Sequence, residues 1–191
     1  SILESGSLRA GESVFYYQPA YRYILFVLRL LFGDSDALLS AAVRSLITLG
    51  TLTAVTVVGA SLTRRVGARL LCLLLGAAVV VMLNTDAQLS RLLDSGLSEW
   101  PVWAALPAGA TLLILARDRK WLLAGTVALA ICVLSRTEML PGVGALVAVG
   151  LVRWFAKDRR WTLVCGCTFV GSLALMPGQN VVYGGRAVLF T

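Results

Sequence analysis

Apolar residues fall into one short, two-sided run followed by six further apolar runs, and polar breaks separate them all. The short run predicts a helix over Pro19–Phe32. Proline suits a first helical turn, and Gly33-Asp34 stops the pattern. Arg22 and Arg29 lie seven apart and share one face, while Tyr21, Leu25, Leu28 and Phe32 make an apolar face. Fourteen residues reach about 21 Å, short of a hydrocarbon core of about 30 Å. This reads as an amphipathic helix lying along a membrane surface or partly re-entrant.

The six further runs are Ala37–Leu62, Val66–Leu83, Trp100–Ala116, Trp121–Leu134, Met139–Phe155 and Trp161–Met176. Arg44 stands in the outer third of the first, where its side chain can snorkel. Trp100, Trp121, Trp154 and Trp161 mark run ends and suit interfacial anchoring. Runs four and five also fit two halves of one broken hairpin. Ala124 with Ala128, and Gly166 with Gly171, suggest close helix packing. The expected fold is all-α: a polytopic transmembrane helical bundle with an amphipathic outer interfacial helix. Residues 1–36 form an extracytoplasmic loop with that helix, 37–176 six transmembrane helices, and 177–191 a second extracytoplasmic loop that starts a further segment.

Composition agrees. The 191 residues are 58% hydrophobic and 14% charged, with mean hydropathy +0.83. Soluble domains carry about 25% charged residues, so these side chains cannot coat a soluble surface. The chain begins at Ser1 without a basic region and cleavage site, and stops at Thr191 after an apolar run, so we expect an internal piece of a longer protein. The net charge of +7 does not signal nucleic acid, because the basic residues cluster between apolar runs. Cys72, Cys132, Cys165 and Cys167 all lie inside apolar runs and read as small packing residues.

Charge sets the expected orientation. Thr63–Arg69, Arg117–Lys120 and Arg153–Arg160 hold ten of the seventeen basic residues, with only Asp118 and Asp158 as acids. The positive-inside rule places these loops in the cytoplasm. Ser1–Asp36, Asn84–Glu99, Ser135–Glu138 and Pro177–Thr191 then share the opposite face, and the protein belongs in the cell membrane as a multi-pass chain.

Candidate chemistry collects on that outer face. Arg136 and Glu138 sit at a helix break between two apolar runs, where ionised groups cost several kcal/mol unless paired or wetted. Glu12, Tyr16, Tyr17, Gln18, Tyr21 and Arg22 come from the first segment; Asn180, Tyr183, Gly184, Gly185 and Arg186 come from the last. Arginine is a good ligand for a lipid-linked phosphate, because its planar fork binds two oxygens and stays charged. Tyrosines can stack on a sugar ring. Each group also has a plainer reading. Arg136 and Glu138 can be an ion pair between helix ends, Arg22 a snorkelling arginine, the tyrosines an aromatic belt, and Asn180 with Gly184-Gly185 a turn.

The order of these motifs resembles the GT-C superfamily of polyprenyl-phosphate-sugar-dependent membrane glycosyltransferases, which includes protein mannosyltransferases, aminoarabinose transferases and mycobacterial arabinosyltransferases. The resemblance rests on Leu3-Glu4-Ser5-Gly6, Gln18-Pro19-Ala20-Tyr21-Arg22-Tyr23-Ile24-Leu25 and Leu31-Phe32-Gly33-Asp34, then Leu134-Ser135-Arg136-Thr137-Glu138 and Asn180-Val181-Val182-Tyr183-Gly184. It implies sugar transfer from a polyprenyl-phosphate donor to a glycan, lipid or protein acceptor at the outer face. A carboxylate would act as general base, and cationic groups or a divalent metal would stabilise the departing lipid phosphate. In the family the catalytic acid follows an earlier span, upstream of Ser1, and Glu12 does not match its position. The donor-contacting set it suggests is Arg136, Glu138, Arg22, Tyr17, Tyr21, Asn180 and Arg186, among membrane lipids and without nucleic acid. The rival expectations are a polytopic transporter or lipid flippase, and a non-catalytic assembly subunit. A transporter would favour inverted repeats and charges near mid-membrane, and no repeat is visible in the sequence.

Overall fold

The computed structural model describes residues 19–33, 35–62, 66–85 and 99–184. Among them the chain is all-helical: α1 (Pro19–Phe32), α2 (Asp36–Leu62), α3 (Val66–Thr85), α4 (Trp100–Ile114), α5 (Arg119–Ser135), a 3-10 turn (Thr137–Met139), α6 (Leu140–Phe155) and α7 (Arg159–Gly184). The short amphipathic run is α1, with the expected limits, and each further run lies in its own helix. Runs four and five are separate helices, α5 and α6, joined by a break at Arg136.

Each helix end has a local cause. Gly33 takes φ +73, a left-handed conformation that costs glycine little, and its amide caps the Arg29 carbonyl at 2.8 Å. Asp118 takes an extended backbone and accepts the Trp121 N–H at 3.0 Å, opening α5. Pro141 begins α6 where a missing N–H leaves no helical bond unmade.

Helix α5 is the centre of the packing. It touches α1, α4, α6 and α7, while α2 joins through α4, and α3 lies outside on α2. Leu113 of α4, Leu122, Leu129 and Val133 of α5, Val143 and Val147 of α6, and Phe169 of α7 form one buried core. A second cluster joins Leu28 of α1, Val43 and Ile47 of α2 and Trp100 of α4, with Tyr21 and Ile24 packed against it. The inward stripe of α1 is therefore Tyr21, Ile24 and Leu28; Phe32, expected on it, is exposed.

The glycines that bring helices together are not those the sequence suggested. A Cβ on Gly125 would lie 2.6 Å from the Leu113 amide nitrogen, and one on Gly50 would lie 1.9 Å from the Ala104 carbonyl oxygen. Gly166 makes only ordinary contact, and Gly171 has nothing within 4 Å. Ala124 is exposed. Two of the tryptophans sit inside the bundle rather than on its outer surface. Trp100 and Trp154 are buried, because the ends of α4 and α6 are covered by neighbouring helices.

Helix α7 corrects a boundary. It continues past Met176 and through Pro177 to Gly184, where a loop from Pro177 was expected. Proline removes one helical hydrogen bond, but ending the helix would leave several backbone groups unpaired in apolar surroundings, which costs more.

Among the described residues, three stretches are long and apolar enough to cross a membrane: Asp36–Gly59, Thr137–Phe155 and Arg159–Val181. Leu70–Met82 and Trp100–Ile114 are shorter apolar stretches. Leu71, Leu74, Leu75 and Met82 of α3 and Val149 and Val152 of α6 are exposed. An apolar exterior of this extent needs covering and is compatible with a membrane protein.

Candidate functional site

Arg136 caps the C-terminus of α5 with an extended backbone (φ −145, ψ 106). The 3-10 turn follows and carries Glu138 two residues on. One guanidinium nitrogen of Arg136 donates to Glu138 Oε2 at 3.2 Å, and the other donates to Oε1 of Glu99, the residue that precedes α4. One cation thus holds two carboxylates. The side chains of Arg136 and Glu99 are 25% and 35% exposed, that of Glu138 72%. Glu99 is the inner partner and Glu138 the loose one.

Sequence reasoning singled out Arg136 and Glu138 and missed Glu99, 37 residues away. A signal was there: the orientation argument had already put Asn84–Glu99 and Ser135–Glu138 on one face. Of the other expected residues, Tyr21 packs against the cluster that contains Trp100, the neighbour of Glu99. Asn180 is 2% exposed and sits on α7, not in a loop or turn. Arg22 lies on α1, but its side chain is outside the described residues, as are Tyr17 and Arg186. The structure therefore brings together Arg136, Glu138 and the unexpected Glu99, close to the cluster holding Tyr21.

Among the described residues no group of three or more histidine, cysteine, aspartate or glutamate side chains could hold a metal ion. The two carboxylates at this break share the Arg136 guanidinium as their counter-cation.

The opposite end of α5 is basic and latched. Arg119 bonds Asp158 through Nε at 2.9 Å and a second nitrogen at 2.8 Å. Lys157 donates to the Arg117 carbonyl at 2.9 Å, and Arg153 donates to the Ile114 carbonyl. Asp158 also accepts the Trp161 N–H at 3.2 Å. That amide does most to hold the Asp158 carboxyl below its ordinary range; partial burial opposes it, and Arg119 adds to the lowering. A folded pKa below the unfolded value of about 3.9 stabilises the fold above that range. The contribution is lost as pH falls through the lowered folded value. We expect the melting midpoint in neutral detergent to drop below about pH 4, and Asp158→Asn to remove that part of the pH dependence. An identical acid profile for Asp158→Asn would count against the latch.

Comparison of the chain with protein-family models, with curated proteins and with solved structures finds no match.

Proposed function

We propose that the chain is the membrane part of a glycosyltransferase that draws its sugar from a polyprenyl-phosphate donor. Its donor site is the break between α5 and α6, on the extracytoplasmic face of a six-span chain. The carrying observation is Arg136: a permanent cation on an extended residue between two helices, fixed by Glu99 and only loosely held by Glu138. The motif order around it, and its position at the end of α5 away from the basic latch, support the same reading.

The arrangement suits exchange of an anion. Glu99 keeps the guanidinium aimed, and an arriving phosphate takes over the nitrogen that Glu138 occupies. Arg136 then neutralises charge on the lipid phosphate as its bond to the sugar breaks. In this reading Tyr21 of α1, packed beside Trp100, meets a sugar or isoprenoid group of the donor. The proton of the acceptor hydroxyl passes to a carboxylate acting as general base.

A photoreactive polyprenyl-phosphate sugar in proteoliposomes tests the site. Cross-links are expected in α1 and in the 131–141 segment. Replacing Arg136 by alanine is expected to weaken donor capture by about tenfold to a hundredfold, the worth of one charged hydrogen bond. Undiminished capture in that variant would remove Arg136 from the site. Lipid movement across the bilayer without sugar transfer would instead favour the flippase reading.

A further inference from the structure

The basic end of the bundle holds chemistry that the donor site does not use. Arg117, Arg119 and Lys120 in one turn face Lys157 and its neighbours in the other. The two carboxylates there, Asp118 and Asp158, are already engaged by the Trp121 and Trp161 amides, and Asp158 by Arg119 as well. The latch bonds fix the two turns relative to one another. Between them lies an open groove of about 520 Å³, walled by Arg117, Lys120, Lys157 and the two aspartates, with buried Trp154 among its lining. The Lys157 ammonium sits 4.2 Å from the Trp154 ring centre, and the Arg119 guanidinium 5.7 Å from that of Trp161. Orientation by positive charge needs only the count of basic residues. It does not require the turns to be locked into a concave, cation-lined seat.

What lies beside the groove identifies the occupant. Val152 and Phe155 are exposed within two turns of Lys157 on α6, and Leu163 and Val164 are exposed on the first turns of α7. An apolar face therefore begins where the basic groove ends. A ligand that satisfies both is an amphiphile with an anionic head. We propose that this groove seats the phosphate headgroup of an anionic phospholipid between Lys120 and Lys157, with its acyl chains along α6 and α7. Bound there, the lipid bridges the α4–α5 and α6–α7 turns and fastens the end of the bundle remote from Arg136.

The chain reconstituted in phosphatidylcholine nanodiscs with a minor fraction of phosphatidylglycerol tests this, with retained lipid counted by native mass spectrometry. Phosphatidylglycerol is expected to be retained in preference to phosphatidylcholine. Each lysine near an anionic surface contributes about fivefold, so Lys120→Gln with Lys157→Gln is expected to weaken retention about 25-fold. Lys157 also holds the Arg117 carbonyl, and the double variant can lose stability on that account. Lys120→Gln alone, which is exposed, is then expected to give about a fivefold loss with an unchanged melting midpoint in lipid-free detergent. Retention equal to the parent in Lys120→Gln, or no preference for the anionic lipid, overturns the proposal. Displacement of the lipid by millimolar inorganic phosphate also overturns it, because the seat would then belong to a soluble phosphate.

Discussion

Arg136→Ala is expected to lower sugar transfer from a polyprenyl-phosphate donor by about a hundredfold to a thousandfold, the usual cost of removing one preorganised charge-stabilising donor. Stability should change little, because a partly exposed ion pair contributes only about 0–1 kcal/mol. Arg136→Lys should be nearly as damaging. Two separate guanidinium nitrogens serve Glu99 and Glu138, and a lysine ammonium has no planar fork with which to hold one carboxylate while offering a second nitrogen to phosphate. Its two partners should respond in opposite ways. Glu99→Gln weakens the anchor and is expected to cut transfer about tenfold, the cost of one charged hydrogen bond. Glu138→Gln removes the competitor for the donor phosphate and is expected to tighten donor binding. Membranes containing each variant, assayed for transfer and in parallel for melting in detergent, separate this from a merely structural pair. A structural pair would lose stability with either carboxylate and would leave transfer per folded molecule unchanged.

The asymmetry between those carboxylates was out of reach of the sequence. Arg136 and Glu138 are legible because they are charges between apolar runs and only two residues apart. Glu99 is equally charged but stands at the end of a polar loop, where a carboxylate needs no explanation. Its meaning depends on α4 and α5 packing side by side so that the start of one meets the end of the other. Sidedness could have nominated it; only tertiary packing selects it. Asn180 failed for a related reason. Pro177 reads as the start of a loop, but in apolar surroundings the backbone hydrogen bonds outweigh one proline, and the helix carries Asn180 into a buried position.

Helix limits were legible because the two strongest local signals coincide. Apolar runs end where basic clusters or glycine begin, and the Pro19–Phe32 helix and the six runs are found as helices whose ends mostly lie within a few residues of those expected. Helix rotation was not legible. In helices apolar on nearly every face, periodicity no longer says which face turns inward. That is why Gly166 and Gly171 were assigned to close packing. Three helices meet the length and hydropathy of a membrane span. Helices α3, α4 and α5 take their place in a bundle from contacts with neighbours, which a run of leucines does not specify.

Rotation has a measurable consequence, because the same substitution should change sign with the face it occupies. Gly125→Ala and Gly50→Ala are each expected to destabilise the bundle by about 3 kcal/mol or somewhat more, the upper end of overpacking costs. The obstacle is backbone, not a side chain that can rotate away. The new methyl meets the Leu113 amide nitrogen at 2.6 Å and the Gly109 carbonyl oxygen at 2.9 Å in one case, and the Ala104 carbonyl oxygen at 1.9 Å in the other. Relief requires α5 to move off α4, which loosens the buried contacts of Leu113, Leu129 and Val133, or α4 to move off α2, which loosens those of Val43, Ile47 and Trp100. Gly171→Ala puts the same methyl into open space on α7. It should stabilise by about 0.5–1 kcal/mol, through the conformational freedom that glycine loses in a helix. Melting of the three variants in one detergent, followed by far-ultraviolet circular dichroism, reads the difference directly. Midpoints that fall for Gly125→Ala and Gly50→Ala and rise for Gly171→Ala fix the rotation of α2, α4 and α5 against one another. Equal midpoints for all three would mean that these helices do not meet through Gly50 and Gly125, and Arg136 and Glu99, which sit at the ends of α5 and α4, would lose the packing that holds them together.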